Sequence, residues 1–343
     1  MKLELERQTL GLRSPLQSSY GVVHERDLAI VKITGSDGTI GYGEAAPLEA
    51  YQGPGIERVL GALDSYRPVL ARSDALNGAQ LIDACREVAD MPVALAAIDL
   101  ALWDRAGRRA GKPVAALLTD QPARSVPVNA TLSALERSAV AEQAAAAVGE
   151  GFTCLKVKVG FGDDAGRVAA VRAAAGPAVL MRLDANGAWD VDQAVRSINA
   201  LSPAGLELVE EPTHGLQEVR RVRERVAVRV AIDETASQAG ALGAGVADAV
   251  CLKISRCGGI GGLIAAATLV RASGGEVYLA STIDGPLGIA AALHAAAALA
   301  SRGPVPHCGL ATLGMFAGVE NPLPARGGEI DLPIGGGLGV DPF

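Results

Sequence analysis

Residues 154–160 read CLKVKVG, and the theme returns as VLMRLDAN at 179–186, LELVEEP at 206–212, VRVAIDE at 228–234 and AVCLKIS at 249–255. Each is a short run rich in Val, Leu or Ile that ends on charge: Lys156 and Lys158, then Asp184, Glu210, Asp233 and Lys253. The gaps (158 to 184, 184 to 210, 210 to 233, 233 to 253) are 26, 26, 23 and 20 residues. A strand, a helix and two connections need a few tens of residues, so this interval predicts βα units with their charged groups at one end of neighbouring parallel strands. Continuous apolar runs suit strands covered on both faces. The gaps hold amphipathic segments such as DVDQAVRSINAL (190–201) and HGLQEVRRVRERV (214–226), with apolar residues three and four apart.

VPVNATL (126–132) and GEVYLAST (275–282) add a strand on either side, and a weakly marked one near PHCGLATLG (306–314) makes eight, the number that closes a barrel. An open doubly wound sheet is the structural rival, but it does not ordinarily carry functional groups on five consecutive strands. Upstream, LAIVKIT (28–34) and TIGYGEA (39–45) flank the turn GSDG and predict a hairpin. Residues 94–118 show helical spacing that ends in Gly111 and Pro113. The predicted class is α/β: a modified TIM-type (β/α) barrel over residues 121–317, preceded by an α+β capping domain over 1–120. The tail from about 318 to 343 is expected to pack back on the cap.

Hydrophobic residues make up 49% and charged residues 20% of the 343, which provides a large core and excludes a disordered chain. Lys and Arg number 31 against 38 acids, and they are scattered, so nucleic acid is not an expected partner. The longest apolar stretch, Pro286 to Ala300, is broken by Gly288 and His294 and is shorter than the roughly 20 residues of a membrane span. No membrane partner is expected. MKLELERQTL at the start lacks the features of a signal peptide, and five cysteines without a CxxC pair read as reduced thiols. These features predict a cytoplasmic protein, and a homo-oligomer is compatible with them.

Asp184, Glu210 and Asp233 would repel one another in a low-dielectric barrel mouth, and a hard divalent cation resolves the conflict. All-oxygen ligands with no His or Cys beside them favour Mg²⁺, with Mn²⁺ as a substitute. For any single acid, helix capping is the plain alternative, since DANGAW and DETAS both have N-cap character. Lys158 and Lys253 come from the second and sixth barrel strands and are expected to face each other across the cation. A desolvated lysine near a cation falls from about 10.4 toward neutrality and becomes a usable base. Lys156 shares a face with Lys158 and is expected to hold its pKa down. The glycines of RCGGIGG (256–262) either cradle an anion at a helix N-terminus or make a tight turn.

Taken in order, GYGEAAP, ALAAIDLALWD, KVK, LDANGAW, VEEP, AIDE and LKISRCGG resemble the enolase superfamily, in the subgroup of muconate-lactonising enzymes. The resemblance implies a capping domain on a modified barrel, Mg²⁺ held by Asp184, Glu210 and Asp233, and Lys158 and Lys253 as acid and base, with Lys156 supporting Lys158. It also implies a small-molecule carboxylate substrate and a shared first step, removal of the proton beside that carboxylate to give an enediolate. The segments at 281–299 and 307–316 look most like o-succinylbenzoate synthases, in which the seventh strand ends in Ser-Ser before a Glu or Asp. Ser281, Thr282 and Asp284 stand there in this chain, and they join Asn186 and the capping residues Arg13 and Tyr51 as expected substrate contacts. The implied reaction is a lyase step of menaquinone biosynthesis, dehydration of a cyclohexadiene carboxylate to o-succinylbenzoate.

LKISRCGG, with Arg256 and Cys257, is closer to muconate cycloisomerases and epimerases. The alternative is therefore an isomerase, either a muconate cycloisomerase or an epimerase of N-acylamino acids or dipeptides. In dipeptide epimerases the last strand carries an Asp-x-Asp motif for the free amine. PHCGLATLGMFAG (306–318) contains no acid.

Overall fold

A computed structural model describes residues 1–18, 20–49, 53–72 and 76–343. Strands β1 (Lys2–Ser18), β2 (Gly21–Thr34) and β3 (Ile40–Ala45) form an antiparallel sheet in that order. The β2–β3 turn is GSDG, with Gly38 at φ 77°, where the left-handed backbone favours glycine. Alternation along LAIVKIT splits β2 between two cores: Ala29, Val31 and Ile33 face the cap helices, while Leu28 and Ile30 join the barrel core. The helices are α1 (Ile56–Ser65), α2 (Arg67–Ala71), α3 (Gly78–Val88) and α4 (Pro92–Ala110). α4 lies directly on β3 because Gly41 and Gly43 have no side chains to hold it off. A Cβ there would come within 2.1 Å of the Ala101 carbonyl oxygen and 2.0 Å of that of Ala97.

After α5 (Ala115–Leu118) and β4 (Ser125–Pro127), seven parallel strands run side by side in chain order. They are β5 (Ala130–Leu132), β6 (Cys154–Lys158), β7 (Leu180–Asp184), β8 (Leu208–Glu210), β9 (Arg229–Ile232), β10 (Ala249–Leu252) and β11 (Glu276–Leu279). Two residues of PHCGLATLG close the ring, Cys308 bridging to Val128 and Gly309 to Ala280. The Asn129 amide donates to the Cys308 carbonyl at 3.0 Å, and the Gly309 amide to that of Leu279 at 2.8 Å. The eighth position is therefore filled, by a pair of bridges rather than a full strand.

The barrel is covered by α6 (Arg137–Gly149), α7 (Asp164–Ala175), α8 (Val191–Leu201), α9 (Leu216–Arg223), the single turn α10 (Ile254–Cys257), α11 (Ile260–Ala272) and α12 (Pro286–Ala300). Between β9 and β10 the connection carries only 3₁₀ turns at Glu234–Ser237 and Ala241–Gly243. This is the shortest of the four spacings, and it leaves little room for a full helix. The tail pairs β12 (Glu329–Asp331) with β4 and then reaches the cap, where the Leu338 amide donates to Asp104 and the Gln8 side chain to the Phe343 carbonyl. All five cysteines are free, and among the described residues no helix is long and apolar enough to cross a membrane.

Two carboxylates of the N-terminal segment cap barrel helices. Glu44 accepts from the Gly285 and Leu287 amides at the start of α12, and Asp99 from the Ile260 and Gly261 amides at the start of α11. Four helix-end amides that lack intrahelical partners are thereby satisfied from across the domain boundary. Burial, with Asp284 nearby, pushes Glu44 up to about 8, and burial pushes Asp99 up to about 6. RCGGIGG does face an anion, and that anion is Asp99, which takes the Ile260 and Gly261 amides.

The contact of α4 with β3 generates a paired test by urea denaturation. Gly43→Ala is expected to cost about 1–3 kcal/mol through overpacking. Gly61→Ala, at an open position within α1, is expected to stabilise by about 0.5–1 kcal/mol.

His294 generates a second test. Fully buried in α12, it accepts from the Ala115 amide at 3.3 Å through Nδ1 and donates to the Leu338 carbonyl at 3.1 Å through Nε2. Burial pushes it down to about 4 from 6.5. The unfolded chain therefore binds the extra proton within that window. The contribution is complete above about 6.5 and is lost as pH falls toward 4, up to roughly 3 kcal/mol. Denaturation midpoints between those pH values should fall more steeply for the wild type than for His294→Gln.

Candidate active site

The ladder register sets the arrangement. Lys158 pairs with Asp184 across β6 and β7, and Asp184 with Glu210 across β7 and β8, so one rung presents an amine and two carboxylates to the barrel mouth. Asp233 follows β9, and Lys253 follows β10. All five are buried. Lys156 Nζ lies 2.9 Å from Asp184 and 2.7 Å from Glu210, Lys158 Nζ donates to Asp184 at 2.6 Å, and Lys253 donates to Asp233. The six charged groups expected from the sequence are brought together.

Burial pulls Lys156 and Lys253 down, but Asp184 and Glu210 at the first and Asp233 at the second outweigh it, and both amines stand above their ordinary value. Both ammonium groups sit directly on carboxylates. Asp184 is held well below the usual range: burial raises it, and Lys156 and Lys158 more than reverse that.

Several partners were not foreseen. Arg256 donates to Asp233 at 2.8 Å and stands 4.0 Å from Glu234. Tyr278 donates to Glu210 at 2.7 Å while stacking under Arg182, whose guanidinium carbon is 4.9 Å from the ring centre. Glu211, at φ 40°, accepts from the Asp233 and Thr235 amides and the Thr235 hydroxyl, and meets His214 Nδ1 at 2.9 Å. His214 Nε2 in turn lies 3.0 Å from the Tyr20 hydroxyl of the cap. The doubled acid of VEEP was the available signal: its first member faces the mouth and its second holds the neighbouring loops.

A cysteine, Cys251, stands beside the expected oxygen ligands. The β9–β10 register, continued one residue, sets it opposite Asp233, and its sulfur lies within 4.8 Å of carboxylate oxygens of both Glu210 and Asp233. Burial, with Asp233 and Glu210 close by, raises its thiol well above the ordinary value. Period two from Lys253 along AVCLKIS was the readable signal.

The donor chemistry fits a divalent cation. Asp184, Glu210 and Asp233 bring three carboxylates to the mouth, and among the described residues Glu234 Oε2 beside them is buried without a hydrogen-bond partner.

Of the expected substrate contacts, Asn186 is at the site, accepting from Lys158 at 2.8 Å and donating to Glu234 at 3.2 Å. Ser281 and Thr282 line a cavity of about 70 Å³ over the charged groups, closed from the cap by Leu16 and Leu48. Asp284 does not line it, because its carboxylate takes the Thr282 hydroxyl at 2.6 Å and lies beside Glu44. Arg13 is exposed, donates to the Gly314 carbonyl at 3.1 Å and is not among the residues that line that cavity. Tyr51 lies outside the described residues. A larger cavity of about 780 Å³ between α3, α4 and α11 contains none of the six charged groups.

Two family models match most of the chain. Residues 3–119 fit the mandelate racemase/muconate lactonizing enzyme N-terminal domain, and residues 139–342 the enolase C-terminal domain-like family. The chain belongs to the enolase superfamily. A hydrophobic dipeptide epimerase of Enterococcus faecalis is 30% identical over 87% of this chain and 86% of its own. Chloromuconate cycloisomerase of Cupriavidus necator is 30% identical over 99% and 96%. An o-succinylbenzoate synthase of Thermobifida fusca is 41% identical, over 55% of this chain and 60% of its own. Among solved structures, the Enterococcus epimerase with Mg and L-Leu-L-Tyr superposes with a TM-score of 0.90 at 27% identity, covering 98% of both chains. The N-succinyl Arg/Lys racemase of Bacillus cereus gives 0.93 at 25% identity, covering 100% and 96%.

The Glu211 hub is open to test. Its hydrogen bond raises the His214 pKa above 6.5. In Glu211→Gln an amide N–H₂ faces backbone donors, an expected loss of about 1–3 kcal/mol, and NMR titration should show the His214 ring moving back toward 6.5.

Proposed function

We propose that this enolase-superfamily enzyme is an isomerase that moves the proton on the carbon beside a substrate carboxylate, acting on an N-acylated amino acid. The carrying observation is the pair Lys158 and Lys253, placed on the second and sixth barrel strands on either side of the carboxylates. One amine removes the proton from one face and the other returns one to the opposite face. Mg²⁺ held by Asp184, Glu210 and Asp233 would stabilise the negative charge that develops on the substrate carboxylate. Lys156, bridging Asp184 and Glu210, keeps those two carboxylates in register. Asn186 orients Lys158 through its side-chain oxygen.

The acylated amine follows from the closing segment. Where Asp-x-Asp would hold a free ammonium, the wall presents Gly309, Thr312 and Met315. A free ammonium would be desolvated there without a carboxylate of its own, whereas an amide needs only hydrogen bonds. The similarity to epimerases and cycloisomerases over most of the chain also supports an isomerase over the lyase suggested by residues 281–316. Dehydration to o-succinylbenzoate stands as the second reading, on the higher identity to the Thermobifida synthase over its shorter span.

The test follows the α-proton by NMR in D₂O, with N-succinyl and N-acetyl amino acids of either hand and with the cyclohexadiene carboxylate. Exchange with inversion of the N-acyl compounds is expected, lost on chelation and reduced roughly 10²–10⁴-fold in Lys158→Ala and Lys253→Ala. An aromatic product from the cyclohexadiene with no N-acyl exchange would establish the second reading instead. Full activity in Lys158→Ala would overturn the mechanism common to both.

A further inference from the structure

The charged groups at the barrel mouth include one donor of different chemistry. Cys251 and Lys253 project from the same face of β10, with Leu252 on the other. Cys251 is 2% exposed, its thiol is free, and no hydrogen bond to it is found among the described residues. Its sulfur and one oxygen each of Glu210 and Asp233 lie within 4.8 Å of one another. Three donors at about 2.0–2.3 Å from one ion can all lie at most about 4.0 Å apart, so the three share a cation after closing by up to about 1 Å. Asp184 does not belong to this closest group.

A second observation, independent of the thiol, also points to a cation. Glu234, next to Asp233, has a side chain only 6% exposed and keeps Oε2 without a hydrogen-bond partner among the described residues, so one acceptor beside the mouth is left unsatisfied by the protein's own donors.

We propose that Glu210, Asp233 and Cys251 form a mixed oxygen–sulfur cation site, through which this chain binds thiophilic divalent ions such as Zn²⁺, Co²⁺ or Cd²⁺ as well as the hard ion of the proposed reaction. The proposal rests on reading the mouth as a cation site and adds sulfur to it. Softer ions gain from a thiolate, whereas Mg²⁺ gains little and is served by the oxygens alone. On binding, the Cys251 S–H bond breaks, the electron pair forms the sulfur–metal bond, and one proton is released to solvent. A thiophilic ion seated on Glu210, Asp233 and Cys251 competes with Mg²⁺ for two of its three carboxylates.

The experiment titrates the metal-free full-length protein with Cd²⁺, reading the near-ultraviolet thiolate-to-cadmium charge-transfer band, and in parallel with Mg²⁺ by calorimetry. The expected result is one band-forming ion per chain in the wild type and in Cys257→Ser. In Cys251→Ser the band is lost and Cd²⁺ binding weakens by roughly tenfold or more, with Mg²⁺ binding retained. X-ray absorption of the Zn²⁺-loaded wild type, which needs no variant, should show a sulfur neighbour at about 2.3 Å. Mg²⁺ binding with no band and no sulfur neighbour would overturn the sulfur ligand and leave the cation site standing. A band that survives in Cys251→Ser would overturn it too. Failure of both ions to bind the wild type would remove the cation site itself.

Discussion

Negative charge at the barrel mouth is the constraint around which the rest is arranged. The register of β6, β7 and β8 puts Lys158, Asp184 and Glu210 on one rung, and Asp233 follows on the next strand. Two like charges about 4 Å apart repel by about 4 kcal/mol at an effective dielectric of about 20. Three such pairs would consume a net stability of about 5–15 kcal/mol. The amines are therefore as necessary to the folded state as to the chemistry: Lys156 spans two of the carboxylates, while Lys253 and Arg256 share the third. The same demand makes the mouth receptive to a divalent ion.

Related logic joins the two halves of the chain. Helix N-termini carry unsatisfied amides, and those of α11 and α12 meet Asp99 and Glu44 of the N-terminal segment instead of water. The tail adds a third tie where Asp104 accepts from Leu338 and also from Tyr42 of β3. The cap is thus held to the barrel by directional hydrogen bonds to carboxylates in addition to apolar contact. Leu16 and Leu48 reach over the cavity at the charged groups from this anchored platform.

Much of this was legible in the residues. The strand runs from 126 to 282 appear where their composition put them, and the six charged groups converge as their spacing required. What could not be read is how each charge would be shared. Lys156, Lys158 and Lys253 each sit on carboxylates, a geometry fixed by ladder register and side-chain reach. The closeness of Cys251 to Glu210 is not legible in the sequence, since it depends on strands that are distant along the chain. Asp284 and Asn186 looked alike as polar groups after strands, yet Asn186 enters the site and Asp284 turns toward Glu44 and Thr282.

By itself, the sequence determined the βα repeat, the superfamily and the set of acids and amines, because each depends on local periodicity and on residue type at a strand end. Tertiary structure alone decided three things: that two residues close the barrel, that Asp99 occupies the glycine-rich helix start, and that a sulfur stands among the carboxylates. All three depend on which strands and helices become neighbours, and that is settled by packing and register across the whole ring.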